Sequence, residues 1–135
     1  MLNRKASSVL IAVTFCLVPA LTISLICAQS GDTGMLAHNV YFSLKDTSDT
    51  AKAGLADACH KYLKGHPGQV FFAAGILAGD MNREVNDRGF DVSLHIVFKT
   101  RADHDRYQAH EKHKKFIDEN QANWARVRVF DSYVK

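Results

Sequence analysis

The chain has 135 residues, 47% of them hydrophobic, with 17 Lys and Arg against 14 Asp and Glu and a formal charge of +3 when histidine is neutral. Arg4 and Lys5 stand in a separate N-terminal segment, so the rest of the chain carries 15 basic against 14 acidic side chains. That balance offers no basic face for nucleic acid, which is excluded as a partner.

Residues 1–30 contain no acidic side chain and pass from MLNRKASS into VLIAVTFCLVPALTISLICAQS. A basic start, a long apolar run and small residues at its end form the pattern of a secretory signal. Cleavage is expected after Ala28 or Ser30, and with it export to the periplasm or the extracellular space. The apolar run approaches the ~20 residues that span a bilayer; left uncut, it becomes an N-terminal membrane anchor, the only circumstance in which a membrane is expected as a partner. Residues 31–35 read as a short polar leader and residues 36–135 as one domain, long enough for one core and too short for two. Cys16 and Cys27 belong to the signal, which leaves Cys59 without a disulfide partner. Stability must then come from packing or from a second subunit.

In chain order, residues 38–44 alternate, with His38, Val40, Phe42 and Leu44 on one face and Asn39, Tyr41 and Ser43 on the other. Period two with aromatic and β-branched residues predicts a strand. Asp46, Ser48 and Asp49 offer helix caps; behind them Leu55, Cys59, Tyr62 and Leu63 recur at helical spacing until Gly65 and Pro67 end the element. Residues 70–77, VFFAAGIL, form a second, buried strand, and GDMNREVNDRG is a polar connection. Residues 91–98 alternate again, with Val92, Leu94, Ile96 and Phe98 opposite Asp91, Ser93, His95 and Val97. A second helix, capped by Thr100 or Asp103, runs to about Asn120, and residues 124–133 close the chain as a fourth strand.

The order βαββαβ predicts an α+β, ferredoxin-like sandwich: a four-stranded antiparallel sheet with two helices on one face. If His38, Val40, Phe42, Val92, Leu94 and Phe98 point at the helices, the opposite face carries Tyr41, His95, Val97 and Phe130, too apolar for free solvation. A homodimer with its two sheets packed face to face, a dimeric α/β barrel, covers that face.

All seven histidines lie beyond residue 30. The stretch YQAHEKH, Tyr107 to His113, places two imidazoles and a phenol at three-residue spacing. On a straight helix Ala102, Ala109, His113, Phe116 and Ile117 share the inward arc, His110 lies about 60° away and Tyr107 a further 60°. Their side chains can converge with His38 on one cavity between helix and sheet. A histidine and a phenol make an acid–base pair, so Tyr107 and His113 are the candidate catalytic residues. His38, Val40, Val92 and His110 are the candidate ligand-binding ones. The same residues also read as a core histidine tied to a backbone carbonyl, a boundary histidine and a packed phenol. No metal or other cofactor is expected: helices that grip a metal through two imidazoles usually space them four apart. His60, His66 and His104 read as surface residues.

His-x-Val-x-Phe-x-Leu-Lys from His38 to Lys45, Phe-Lys-Thr from Phe98 to Thr100 and the Tyr-x-x-His-x-x-His helix together resemble the stress-responsive α/β-barrel, or Dabb, domain. The resemblance implies the ferredoxin-like fold and the dimeric barrel. One plant branch of that family consists of polyketide cyclases of the olivetolic acid type, which perform an aldol condensation without a metal. By that likeness Tyr107 and His113 carry the acid–base chemistry and His38 is a pocket histidine. Two departures stand out. Glu111 replaces the proline common between the two helix histidines, which lets the helix run straight, and Val92 stands where the cyclases have a strand histidine. Three functions follow: an exported, stress-associated module that binds a small organic molecule; a cofactor-independent enzyme of the cyclase or lyase type; and a purely structural dimerisation domain.

Overall fold

The computed structural model describes residues 34–135; the expected signal segment and its cleavage sites lie outside them. Alternating side chains set the first strand, β1 (Met35–Leu44), in which His38, Val40, Phe42 and Leu44 are buried. It starts at Met35, so the end of the leader belongs to the sheet. Helix α1 (Asp49–Leu63) begins where the Ser48 hydroxyl accepts from the Ala51 N–H, satisfying one of the orphan donors of a helix start. Its buried face is Leu55, Cys59, Tyr62 and Leu63. Burial pushes the Cys59 thiol up to about 12, so this cysteine packs and does not react.

The chain then turns through Gly65 (φ 81°) and Gly68 (φ 83°), conformations that favour glycine. This turn corrects one expectation. His66 is buried, because the tight return folds its ring inward, where Nε2 lies 2.9 Å from the Tyr62 carbonyl.

Strands β2 (Gln69–Ile76) and β3 (Val92–Phe98) follow, joined by the expected polar connection. The segment 101–120 forms two helices where the sequence predicted one: α2 (Arg101–Ala109), capped by Thr100, and α3 (Glu111–Asn120). His110 between them is extended, with φ −71° and ψ 141°. Its N–H still donates to the Tyr107 carbonyl, and its Nδ1 accepts from the Lys112 N–H, so one residue ends α2 and caps α3. The break also overturns the inference that Glu111, in place of proline, keeps the helix straight. A single 3-10 turn (Gln121–Asn123) leads into β4 (Trp124–Val134).

The sheet is antiparallel throughout, in the order β2-β3-β1-β4, and the fold is ferredoxin-like. Val40 faces Leu94 and Phe42 faces Val92 across β1 and β3. Together with Ile96, Phe98, Tyr107, Phe116 and the α1 face they form the core. Each such aliphatic or aromatic side chain contributes on the order of 1.5–3 kcal/mol by leaving water. On the opposite face Tyr41 stacks edge-on against Phe90, His95 and Phe130, and Phe71 and Phe130 each remain 53% exposed. Among the described residues no helix is long and apolar enough to cross a membrane.

Candidate functional site

The break at His110 rearranges the predicted constellation. On a straight helix Tyr107 and His113 would lie about 120° apart; the turn between α2 and α3 brings their rings to a centroid distance of 4.7 Å. Tyr107 is 2% exposed and sits 5.1 Å from both Phe98 and His66. His38, on β1, contributes from the sheet, 6.0 Å from the Tyr107 ring. Its Nδ1 lies 2.7 Å from the Asp131 carboxylate, which β4 places directly opposite in register.

Between these helices and the sheet is a cavity of about 110 Å³, whose walls include His38, Val40, Tyr107, His113, Trp124 and Val127. Three of those residues carry a buried side-chain polar atom without a hydrogen-bond partner: Tyr107 its hydroxyl, His113 its Nδ1 and Trp124 its Nε1. Buried polar atoms are almost always hydrogen-bonded, so three orphans around one hollow set this place apart.

Burial dominates the electrostatics. It pushes His113 down to about 4, aided by the charge of His38, although a hydrogen bond to the Gln108 backbone opposes the shift. It lowers His38 as well, outweighing the Asp131 carboxylate, and it raises the Tyr107 phenol. At neutral pH His113 is therefore an uncharged imidazole. A neutral imidazole carries one donor and one acceptor nitrogen. The site holds a neutral base, a neutral phenol and an indole N–H in an apolar hollow.

Of the predicted site residues, Tyr107, His113, His38 and Val40 come together here. Val92 and His110 do not. Val92 is completely buried in the core, opposite Phe42 and away from the cavity wall. His110 is exposed; its Nδ1 caps α3 and its ring stands 4.6 Å from His66. Ala102 and Ala109, expected on the inward arc, are exposed because α2 buries Asp103 and Tyr107 instead. His104 was expected to face water; its side chain is only 13% exposed and its ring stands 4.9 Å from His38. The sequence reading missed Trp124 and Asp131. Their signal was the pairing of the first and last strands, which sets Asp131 against His38 and ends at Trp124 beside Leu44.

A larger concavity of about 530 Å³ lies on the opposite face of the sheet, under the connection between β2 and β3, with Tyr41, Arg88, His95, Arg128 and Phe130 among its walls. Arg128 is tied there to Asp87 and to the Gly89 carbonyl. Arg128 Nε on that side is also buried without a partner, but Asn39 pairs with His95 at 2.8 Å, so the smaller cavity, lined by three residues with such an atom, is the stronger candidate site.

Residues 36–134 match the Stress Responsive A/B Barrel Domain family, Dabb. No curated protein matches the sequence. Solved structures of similar fold include a dimeric ferredoxin-like protein of unknown function from Thermobifida fusca, with TM-score 0.64 and 16% identity over 75% of this chain and 92% of that one. A Dabb family protein from Mesorhizobium loti aligns with TM-score 0.62 and 20% identity over 76% and 98%. The hydroxynitrile lyase of Passiflora edulis aligns with TM-score 0.62 and 17% identity over 76% and 95%. At these identities the likeness is one of fold.

Proposed function

The chain belongs to the Dabb, or stress responsive A/B barrel, domain family, and from that premise we propose that it is an exported, dimeric, stress-associated protein that binds a small organic molecule beneath α2 and α3. One observation carries the reading: Tyr107, His113 and Trp124, each with a buried side-chain polar atom that no protein group pairs, all line the same cavity. An unsatisfied buried polar atom costs about 1–3 kcal/mol, and a guest that pairs with all three removes that cost. Indole N–H only donates, a phenol donates or accepts, and the neutral imidazole of His113 accepts in the tautomer that leaves Nδ1 unprotonated. The complementary guest carries an oxygen acceptor toward Trp124 and Tyr107 and a donor toward His113, as a hydroxy-carbonyl compound does. The hollow is smaller than the ~150 Å³ that admits benzene, so it takes a guest of a few heavy atoms or the polar end of a longer one entering past Val127.

Export is supported by the composition of residues 1–30. The dimer is supported by the aromatic open face and by relatives described as dimeric.

The contact between Tyr107 and His113 favours a second reading, a cofactor-independent lyase- or cyclase-like enzyme. A neutral imidazole with a free lone pair takes a proton from an acidic C–H or O–H, while the phenol donates to the oxygen on which charge develops. The Passiflora edulis relative is a hydroxynitrile lyase.

Native mass spectrometry of the full chain, recovered from the exported fraction of its own cells, tests these statements together. The expected result is a subunit cut after Ala28 or Ser30, an assembly of twice that mass, and a retained small molecule that is lost when His113→Ala and Trp124→Phe are combined. An empty assembly would leave the structural dimerisation reading. With the guest identified, Tyr107→Phe separates binder from enzyme: it should weaken affinity less than about tenfold and, in an enzyme, lower turnover about 10²–10⁴-fold.

A further inference from the structure

Independently of the guest cavity, we infer that His38, His104 and Asp131 form a binding site for a divalent transition-metal ion, with Zn²⁺ as the representative case. One donor atom from each of the three lies within 4.8 Å of the other two. They come from three elements, β1, α2 and β4, so the fold assembles the set and no spacing along one helix reveals it. This is why counting residues along the second helix predicted no metal.

The donor types agree. Two imidazoles and a carboxylate suit borderline first-row ions such as Zn²⁺, Fe²⁺ or Co²⁺, whereas Mg²⁺ and Ca²⁺ prefer oxygen alone. Around an ion with bonds of 2.0–2.1 Å, tetrahedral ligands stand about 3.4 Å apart. His38 and Asp131 already touch at 2.7 Å, with His38 fixed at 5% side-chain exposure. Closing the set therefore requires this hydrogen bond to open and give up its proton, with Asp131 backing away from His38, and His104 to swing toward both. Asp131 is 46% exposed and free to adjust.

His104 is also held from behind. The Asp105 carboxylate lies 3.2 Å from its Nδ1, and the Gln108 amide lies 3.1 Å from its Nε2. A carboxylate behind a ligating histidine fixes its tautomer and orientation; here it stabilises the form protonated at Nδ1, leaving Nε2 to exchange the neutral Gln108 amide for the ion. A simple carboxylate–histidine couple explains His38 and Asp131. It does not account for the ring of His104, which lies 4.9 Å from that of His38.

The cluster meets solvent through an opening of about 250 Å³ bordered by Leu36, Arg101, His104, Asp131, Ser132 and Tyr133, enough for a water as a further ligand. Arg101 is the one cation on that border, and its Nε is paired with Asp105 at 3.2 Å. Because the His38 ring also borders the guest cavity, a bound ion sets a positive charge behind that wall.

The test uses the full chain without a polyhistidine tag. Calorimetry with Zn²⁺ should show one ion per chain, with affinity lowered more than about tenfold by His104→Ala and by Asp131→Asn. Replacing His110, whose nearest imidazole is His66, with alanine should leave affinity within twofold. Nitrogen-15 spectra of the wild-type imidazoles read the site without any variant: Zn²⁺ should shift His38 and His104 and leave His60 and His110 in place. No saturable binding up to about 1 mM Zn²⁺, shifts confined to other histidines, or loss of binding in His110→Ala but not in His104→Ala overturns the proposal.

Discussion

The Tyr107 hydroxyl is a buried polar atom that no group of the protein hydrogen-bonds, while its ring packs on Phe98, His66 and His113. Removing the oxygen keeps the ring contacts and removes an uncompensated buried group. In guest-free protein Tyr107→Phe should therefore raise unfolding stability by about 1 kcal/mol, read as a higher urea midpoint at unchanged slope. A lower midpoint would mean that the hydroxyl has a partner. The neighbouring histidines give a second prediction. Burial lowers His38, His66, His95 and His113, the last to about 4. Below pH 6.5 the unfolded chain takes up protons that the folded chain refuses, so folded stability is full above that pH and falls as pH drops toward 4. His113→Gln removes one of these groups. Unfolding midpoints at pH 7, 5.5 and 4.5 should fall less steeply in that variant than in wild type, and parallel slopes would contradict the assignment.

At the scale of elements, the junction of α2 and α3 decides the site. His110 already has the extended backbone that a residue before proline must adopt. Position 111 is the first residue of α3, where a missing N–H is harmless and a fixed φ helps. Glu111→Pro should thus be accepted without rearrangement and raise the thermal midpoint by a few degrees through a less flexible unfolded chain. A fall would show that the junction needs the backbone N–H of residue 111. The same junction marks how far the sequence could be read. Strands β1 and β3 were legible because each buries one face, so their alternation is a direct record of burial. The break was not, because no Pro or Gly interrupts residues 101–120 and the cap is made by a histidine nitrogen instead of the usual Ser, Thr, Asp or Asn oxygen. Tyr107, His113 and His38 were recognisable from residue type and spacing. Asp131 and Trp124 required the pairing of β1 with β4, in which His38 meets a residue 93 positions away, and His104 required the packing of α2 over β1.

For the whole molecule the decisive surface is the face of the sheet turned away from the helices. A domain of about 100 residues without a disulfide buries a modest core, and here Phe71 and Phe130 are left half in water on that face, around Tyr41 and His95. In the proposed dimer a second copy covers them, so folding and association are linked and the thermal midpoint of the wild type should rise with protein concentration. Phe130 lies on edge strand β4 outside the core cluster, and a charge there opposes association more than folding. Phe130→Glu should therefore halve the mass measured by light scattering and abolish the concentration dependence of the midpoint, with its far-ultraviolet circular dichroism unchanged. A wild type that already has the mass of one chain, with a midpoint independent of concentration, would contradict the dimer and require this aromatic face to be stable in water.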